Sequence, residues 1–387
     1  MNSAGGESKT GGVAASLESS PLADKLDEAA AALWDLGAKS LLGWRPCEGG
    51  IEVLMMPYDV IVGRAADFGR LLHGPRLMGA RTFEVARALT DAVPVCLPTQ
   101  IPIGEEGELA ELAERVLRRY SVTETRHRAV GLLDIVGFSR LEPMFQVAQL
   151  NSLQQSISNA HRLLQRVGVD INLARSTTGD GYYVWNREKG LRADLATYLV
   201  MLLTTTDNAL ARRFNAELAP TIRSCFSIGS HFSYHQVEQL RPAGHRYIVG
   251  DVTILLARMM DRCLPGQILI GYFRRPLENA REVGTVTFAT RAAAMIGKLP
   301  AARLRGGDLT GARCYLTGRR DASGRFGISR FYIQDKHGFR HAAFNQKFNV
   351  HMRAPGGAEA LDAVYLGRQH EDLGEFKAEE TAAYREA

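Results

Sequence analysis

In AVGLLDIVGFS (Ala129–Ser139) an apolar strand ends in an acidic residue, Asp134, which is followed by a turn that contains glycine. Helical and extended segments then alternate along the chain: a helix at about 142–167, strands at 171–177 and 182–185, a helix at about 191–218 and a strand at 221–234. The pattern therefore predicts the order strand, helix, hairpin, helix, strand.

That order is the βαββαβ arrangement of a ferredoxin-like sheet. A further helix that begins near Asp251 and the strand QILIGYF (267–273) continue the series. We therefore predict an α+β protein. A ferredoxin-like domain at 125–318 would follow a helical N-terminal segment and precede a small β-rich C-terminal module.

Three other segments differ from this domain in composition. Residues 1–22 are rich in Gly, Ser and Ala, which cannot offset the entropy of ordering, so we expect a disordered tail. Residues 23–124 contain amphipathic helical patterns at 23–36 and 106–120, and we predict a mostly helical segment of unknown role. Residues 326–372 form the predicted C-terminal module.

The composition is that of an ordinary soluble protein. The chain has 387 residues, 45% hydrophobic and 23% charged, which fits about two to three globular domains. Its five cysteines are scattered and form no Cys-x-x-Cys pair, which argues against a disulfide framework or a zinc knuckle. We expect a cytoplasmic protein without a membrane span, because the sequence has no signal-peptide pattern and no run of about 18 apolar residues.

Positive charge is concentrated in one segment. The net charge is +5, and Arg291–Arg340 holds eleven Lys or Arg against three Asp. This segment is either an anion-binding surface or a solvated arginine-rich face. Nucleic-acid binding normally comes with a recognisable module, and we identify none, so we expect no nucleic-acid partner.

Two acidic residues lie where a purely structural role explains them poorly. Asp134 ends an apolar strand, where an unpaired buried carboxylate is costly, so we expect a cationic partner. Asp180 lies at the tip of the hairpin TTGDGYYVW (Thr177–Trp185), although its flanking glycines also fit plain turn chemistry. In a βαββ sheet the two positions are adjacent, so both carboxylates can converge on one point.

A converging pair of carboxylates suits Mg²⁺ or Mn²⁺ carrying substrate phosphates. Two such ions about 3.5 to 4 Å apart would serve an in-line displacement at phosphorus. The implied substrate is a nucleoside triphosphate.

Ordered motifs in the chain resemble the class III nucleotidyl cyclases. They are the strand motif DIVGFS (134–139), the hairpin motif Gly179–Asp180, the strand RSCFSIG (223–229) and the segment YIVGDVTILLARM (247–259), which is similar to the family's arginine-bearing helix. The resemblance covers about 128–317. It implies that Asp134 and Asp180, with the carbonyl of Ile135, hold two Mg²⁺ or Mn²⁺ ions.

The resemblance also implies roles for residues outside this acidic pair. Phe138 and Ser139 would contact the substrate, and Arg258 would be the transition-state arginine. In the family the metals and this arginine face each other across a two-fold, head-to-tail interface. The implied functional unit is therefore a homodimer with two composite sites.

Several positions depart from the family's pattern. Ile254 replaces the asparagine that positions the ribose, and Ser176 and Tyr247 stand at the pair that selects the purine. This altered pair resembles the Pycsar pyrimidine cyclases of bacterial phage defence. The resemblance implies a pyrimidine substrate, with UTP favoured over CTP, a cUMP or cCMP product, and a separate effector protein that responds to it.

Two C-terminal stretches extend the resemblance. LRGGDLTGARCYLTG (304–318) is similar to the family's last hairpin, but the lysine that grips the triphosphate falls near Gly307, which leaves Arg305 or Arg303 as substitutes. FYIQDKHGFRHAAFNQKFNV (331–350), followed by AVYLGRQ, is similar to a sensor module found beside cyclases of defence islands. A small β-rich tail packed on the catalytic domain accounts for this stretch equally well.

The sequence leaves two alternatives open. One is an adenylate cyclase with an unusual base pocket. The other is a degenerate cyclase-like domain that binds nucleotide without turnover. The missing ribose asparagine at Ile254 favours the degenerate domain, and the retained Asp134, Asp180 and Arg258 speak against it.

Overall fold

The computed structural model describes residues 20–63, 71–99, 101–277, 281–296, 298–299, 302–305, 307–320, 323–353, 361–381 and 384. Residues 1–19 of the predicted disordered tail lie outside the described residues. The chain divides into two compact units, of which the first comprises 1–125 and 232–248 and the second 126–231 and 249–387.

The helices, in chain order, are α1 (Pro21–Trp34), α2 (Tyr58–Gly63), α3 (Ala80–Thr90), α4 (Glu108–Leu117), α5 (Pro143–Arg166), α6 (Leu191–Phe214), α7 (Asp251–Met260) and α8 (Thr285–Ile296). The strands are β1 (Lys39–Cys47), β2 (Gly50–Pro57), β3 (Val95–Pro98), β4 (Thr123–Ile135), β5 (Leu173–Thr177), β6 (Gly181–Asn186), β7 (Ile222–Tyr234), β8 (Val237–Glu238), β9 (Arg241–Pro242), β10 (Tyr247–Val249), β11 (Ile268–Gly271), β12 (Arg274–Pro276), β13 (Glu282–Gly284), β14 (Arg303–Leu304), β15 (Gly307–Leu316), β16 (Arg330–Gln334), β17 (Arg340–Arg353), β18 (Leu361–Leu366) and β19 (Glu379–Thr381).

The first unit combines helices with a small antiparallel sheet of order β1-β2-β3. Helix α1 begins after Ser20, whose hydroxyl accepts the backbone N–H of Ala23 at 3.2 Å. Apolar residues of α1, α4 and the sheet pack around the buried side chains of Trp34 and Trp44. The segment that precedes the βαββαβ domain thus contains a sheet in addition to the helices that its amphipathic patterns indicate.

The second unit is built on one large sheet. Its strand path is β14-β15-β17-β11-β7-β4-β6-β5. Helix α5 connects β4 to β5, and α6 connects β6 to β7. The neighbours β7-β4-β6-β5 therefore form the predicted βαββαβ unit in ferredoxin-like order, which confirms the α+β fold class.

Helices α5 and α6 cover the core of this sheet. Leu153, Ile157, Ala160 and Leu164 recur on one face of α5 and are completely buried. Helix α6 is buried over most of its length, so it lies between the sheet and other elements of the core.

Helix α6 ends at Phe214, a few residues before the end expected from the sequence. Asn215 takes an extended backbone conformation, and its side-chain oxygen accepts the N–H groups of Glu217 and Leu218 at 3.0 and 3.1 Å. This local hydrogen bonding competes with the helix and turns the chain toward β7.

The C-terminal segment is rich in strands, as predicted. Strand β17 lies between β15 and β11, β16 and β18 also pair with β17, and β19 pairs with β16. These strands thus join the same sheet as the βαββαβ unit, and a sensor role for them stays a prediction. Every helix in the described residues is too short or too polar to cross a bilayer.

Candidate active site

Asp134 is the penultimate residue of β4 and is only 6% exposed. The expected cationic partner is Arg223 on the adjacent strand β7, whose Nε donates a 2.6 Å hydrogen bond to Oδ2 of Asp134. Arg223 is itself held by the carbonyls of Met260 and Cys263, which accept from its Nη1 at 3.2 and 3.3 Å. Asp134 is therefore fixed by a charge-assisted hydrogen bond from an oriented guanidinium.

Asp180 lies in the turn between β5 and β6 and faces the end of β4. The N–H of Ile135 donates to the backbone oxygen of Asp180 at 3.0 Å, and Asp134 pairs with Gly181 across the strands. A Cβ on Gly181 would meet the carbonyl oxygen of Leu133 at 2.0 Å, so only glycine permits this close approach. The structure therefore brings the two predicted acidic residues together.

The environment of Asp134 raises the pKa of its carboxyl. Burial raises its pKa above the usual value, and the charge and hydrogen bonding of Asp180 raise it further, while Arg223 lowers it. Two carboxylates at such close range resist being ionised together. A bound cation would relieve this repulsion, so the pair fits the metal that the resemblance implies.

The donor set also limits what kind of metal site this is. The described residues hold no group of three or more His, Cys, Asp or Glu side chains that could ligate one ion. An ion at Asp134 and Asp180 would complete its shell with oxygens of the main chain, as predicted for Ile135, of water or of a substrate. Such an incomplete, all-oxygen set suits Mg²⁺ or Mn²⁺ carrying phosphates.

The loop after Asp134 contains the predicted substrate contacts. Gly137 has φ 71°, and a short 3₁₀-helix covers Phe138–Arg140. Phe138 is partly buried against the core, and Ser139 is exposed. The side chain of Gln146 donates to the carbonyl of Phe138 at 3.2 Å, which ties this loop to the first turn of α5.

The two residues at the predicted base-selecting pair lie in different units. Ser176 is on β5 opposite Tyr183, whose hydroxyl donates to the carbonyl of Thr253 in α7 at 3.1 Å. Tyr247 belongs to the first unit, where its hydroxyl lies 2.7 Å from Nε2 of His245. A joint base pocket of Ser176 and Tyr247 stays a prediction.

Arg258 lies on α7, which begins at Asp251 as predicted and is preceded by Gly250. Gly250 has φ 147° there, and its N–H donates to the hydroxyl of Thr253 at 3.0 Å. Ile254, at the position of the family's asparagine, is 50% exposed and lies one turn before Arg258 on the same face. The acidic neighbours of Arg258 among the described residues are Asp335 and Asp261, not the Asp134–Asp180 pair.

Arg305 is engaged elsewhere in the second unit. Its Nη2 lies 2.8 Å from Oδ2 of Asp207 on α6, a carboxylate with no exposed surface. With Arg303 and two arginines near the C-terminal end of α5, Arg162 and Arg166, it lines a cavity of about 280 Å³. Helix α5 rises about 1.5 Å per residue, so this cavity lies about 30 Å along the helix from its start beside the Asp134 loop. Within one chain, Arg305 and the acidic pair are thus apart.

Several solved structures resemble the chain at low sequence identity. No family model and no curated protein matches it. Solved structures that it resembles include the guanylyl cyclase Cya2 (14% identical, covering 61% of this chain and 96% of that chain, TM-score 0.33). Another is the adenylyl cyclase CyaB from P. aeruginosa (13% identical, covering 58% of this chain and 95% of that chain, TM-score 0.34). A third is the guanylate cyclase domain of RhGC from Catenaria anguillulae in complex with GTP (16% identical, covering 60% of this chain and 99% of that chain, TM-score 0.34). Likenesses at this level carry no functional argument.

Proposed function

We propose that the chain is a metal-dependent nucleotidyl cyclase, which converts a nucleoside triphosphate to a 3′,5′-cyclic nucleotide and pyrophosphate. The observation that carries this proposal is the convergence of Asp134 and Asp180 at the end of β4 in a ferredoxin-like sheet. A buried aspartate beside a half-buried one, with an incomplete oxygen donor set, is suited to ions that bridge substrate phosphates.

Different residues of the site would bind the metal, orient its ligand and contact the substrate. Asp134 and Asp180, with the carbonyl of Ile135, would hold Mg²⁺ or Mn²⁺. When bound, the metal would acidify the ribose 3′-hydroxyl and neutralise the triphosphate. Arg223 would keep the Asp134 carboxylate oriented through its 2.6 Å hydrogen bond. Phe138 and Ser139 would contact the substrate from the adjoining loop.

In the reaction the 3′-hydroxyl would lose its proton to solvent, a bond would form between the 3′-oxygen and the α-phosphorus, and the bond between that phosphorus and pyrophosphate would break. Negative charge grows on the oxygens around the phosphorus, and the guanidinium of Arg258 would stabilise it. Because Arg258 has Asp335 and Asp261 as its acidic neighbours, we propose that it serves the acidic pair of a second copy. The functional unit would then be a head-to-tail homodimer with two composite sites.

We further propose that the substrate is a pyrimidine nucleotide, UTP before CTP. Ser176 and Tyr247 offer hydroxyls in place of the purine-selecting pair, and a tyrosine leaves less room for a bicyclic base. Hydroxyls both donate and accept, so they can bond to the polar edge of uracil or cytosine. On the same resemblance we propose a cytoplasmic role in anti-phage defence, with a separate effector that responds to the cyclic nucleotide.

A second candidate function is nucleotide binding without turnover. The exposed side chain of Ile254 favours it, because this position offers no polar group to align the ribose. Such a domain would bind a nucleoside triphosphate and Mn²⁺ but release no pyrophosphate.

Incubation of the purified protein with Mn²⁺ and each of the four nucleoside triphosphates, one at a time, tests the substrate. We expect UTP or CTP to be cyclised at least tenfold faster than ATP or GTP. This ratio corresponds to a difference of about 1.4 kcal/mol in activation free energy. A preference for ATP would replace the pyrimidine proposal with an adenylate cyclase. Binding of nucleotide without any turnover would favour the degenerate domain.

A further inference from the structure

Arg258 contacts the tip of the β16–β17 hairpin. Its Nε lies 3.6 Å from Oδ2 of Asp335, and its Nη1 lies 3.7 Å from Oδ2 of Asp261. The Asp335 side chain is 4% exposed, whereas that of Asp261 is 67% exposed. The Nε is buried and has no hydrogen-bond partner in the described part of the chain. Asp335 is therefore the buried counter-charge of this arginine.

The Asp335 carboxylate is held rigidly by its own turn. Its Oδ1 accepts the N–H groups of His337 and Phe339 at 2.9 and 3.0 Å, and its Oδ2 lies 3.1 Å from Nε2 of His341. The backbone of the turn is closed by the N–H of Asp335, which donates to the carbonyl of Phe339 at 3.0 Å. The contact with His341 and the two backbone N–H groups lower the pKa of Asp335 to about 2, so the carboxylate carries its charge at any working pH.

The fixed carboxylate of Asp335 affects the orientation of the Arg258 side chain. An arginine side chain has many rotamers, and fixing one of them costs conformational entropy. A carboxylate at the Nε edge favours one orientation of the planar guanidinium. At 3.6 Å Asp335 attracts the guanidinium without the short hydrogen bonds of a closed ion pair. Within the described residues, Nη2 has no acidic neighbour and stays available to an anion.

We propose that Asp335 is a positioning residue for Arg258, so that the C-terminal hairpin orients the arginine that the cyclase reaction needs. This inference rests on the proposed function and deepens it. Residues 331–341 would then contribute to the reaction by orienting Arg258, and would be neither a passive tail nor only a separate sensor module.

The test compares Asp335→Asn with Asp261→Asn in steady-state cyclase assays. Asparagine keeps the turn, because its side-chain oxygen can accept the same two N–H groups, and it removes the charge. We expect kcat to fall about tenfold in Asp335→Asn with KM unchanged, since orientation of Arg258 matters in the transition state. Asp261→Asn, which removes the exposed carboxylate beside the same guanidinium, should change kcat less than twofold. If Asp335→Asn does not fold, Asp335→Ser replaces it.

Two further measurements separate positioning from a structural effect. In an Arg258→Ala background, Asp335→Asn should lower kcat no further, because the two residues act as one unit. In ¹H–¹⁵N spectra of the protein, the Nε–H of Arg258, identified by its absence in Arg258→Lys, should exchange with solvent faster in Asp335→Asn than in wild type or Asp261→Asn.

The outcomes of these experiments distinguish failure of this inference from failure of the proposed function. Equal or higher kcat in Asp335→Asn, or a further loss in the Arg258→Ala background, refutes this inference and leaves the proposed function intact. If the wild type forms no cyclic nucleotide from any triphosphate, the proposed function fails, and the catalytic purpose of the contact fails with it.

Discussion

Replacing Asp134 with asparagine removes one negative charge from the proposed metal site and keeps the shape of the side chain. The amide oxygen can still accept the hydrogen bond from Arg223, so the fold should be kept. A unit charge about 4 Å from a cation contributes about 4 kcal/mol at an effective dielectric constant of ~20, and desolvation offsets part of it. We therefore expect turnover to fall at least about 100-fold, which corresponds to about 2.7 kcal/mol.

The assay is pyrophosphate release with saturating Mn²⁺ and UTP, alongside thermal unfolding with and without the metal. Asp170 is exposed, so the variant Asp170→Asn serves as a charge-matched control and should behave as wild type. Metal at about 100 times its Kd should stabilise the wild type by about 2.7 kcal/mol, and Asp134→Asn by clearly less. A folded Asp134→Asn protein that keeps more than a tenth of wild-type turnover would refute the assignment of Asp134 to the site.

Further predictions concern the dimer and two buried groups. Asp134→Asn and Arg258→Ala proteins, each nearly inactive, should regain turnover when co-expressed, and no recovery in demonstrated mixed dimers would contradict composite sites. Arg305→Gln should lower the urea-unfolding free energy by about 2 to 3 kcal/mol, because it leaves the carboxylate of Asp207 without its cation; unchanged stability would contradict this. Burial lowers the pKa of His231 to about 3, so stability should fall as the pH drops below 6.5 toward that value. His231→Leu should reduce this acid sensitivity in unfolding titrations, and an unchanged pH profile would count against it.

The order of elements in the βαββαβ unit was predictable because local sequence patterns indicate each of them. The apolar strand that ends at Asp134 and the hairpin around Gly179 and Asp180 each carry their own signal of strand and turn. A cationic partner for Asp134 was also predictable, since an unpaired buried carboxylate is costly. That this partner is Arg223 required the neighbouring strands to be known.

Other features have no local signal. The insertion of β17 between β15 and β11 joins strands that are far apart in the chain, and alternation of side chains does not specify a distant partner. The contact between Arg258 and Asp335 depends on that pairing, so it could not be foreseen from either motif.

The proposed cyclase activity is tested by identifying the product formed from a triphosphate labelled at the α-phosphorus. The protein is incubated with Mn²⁺ and labelled UTP or CTP, and the labelled products are separated and identified by mass. The proposed activity predicts a 3′,5′-cyclic pyrimidine nucleotide, one pyrophosphate for each molecule of product, and no product from Asp180→Asn. A linear mono- or diphosphate as the product, or equal turnover in Asp180→Asn, would contradict it.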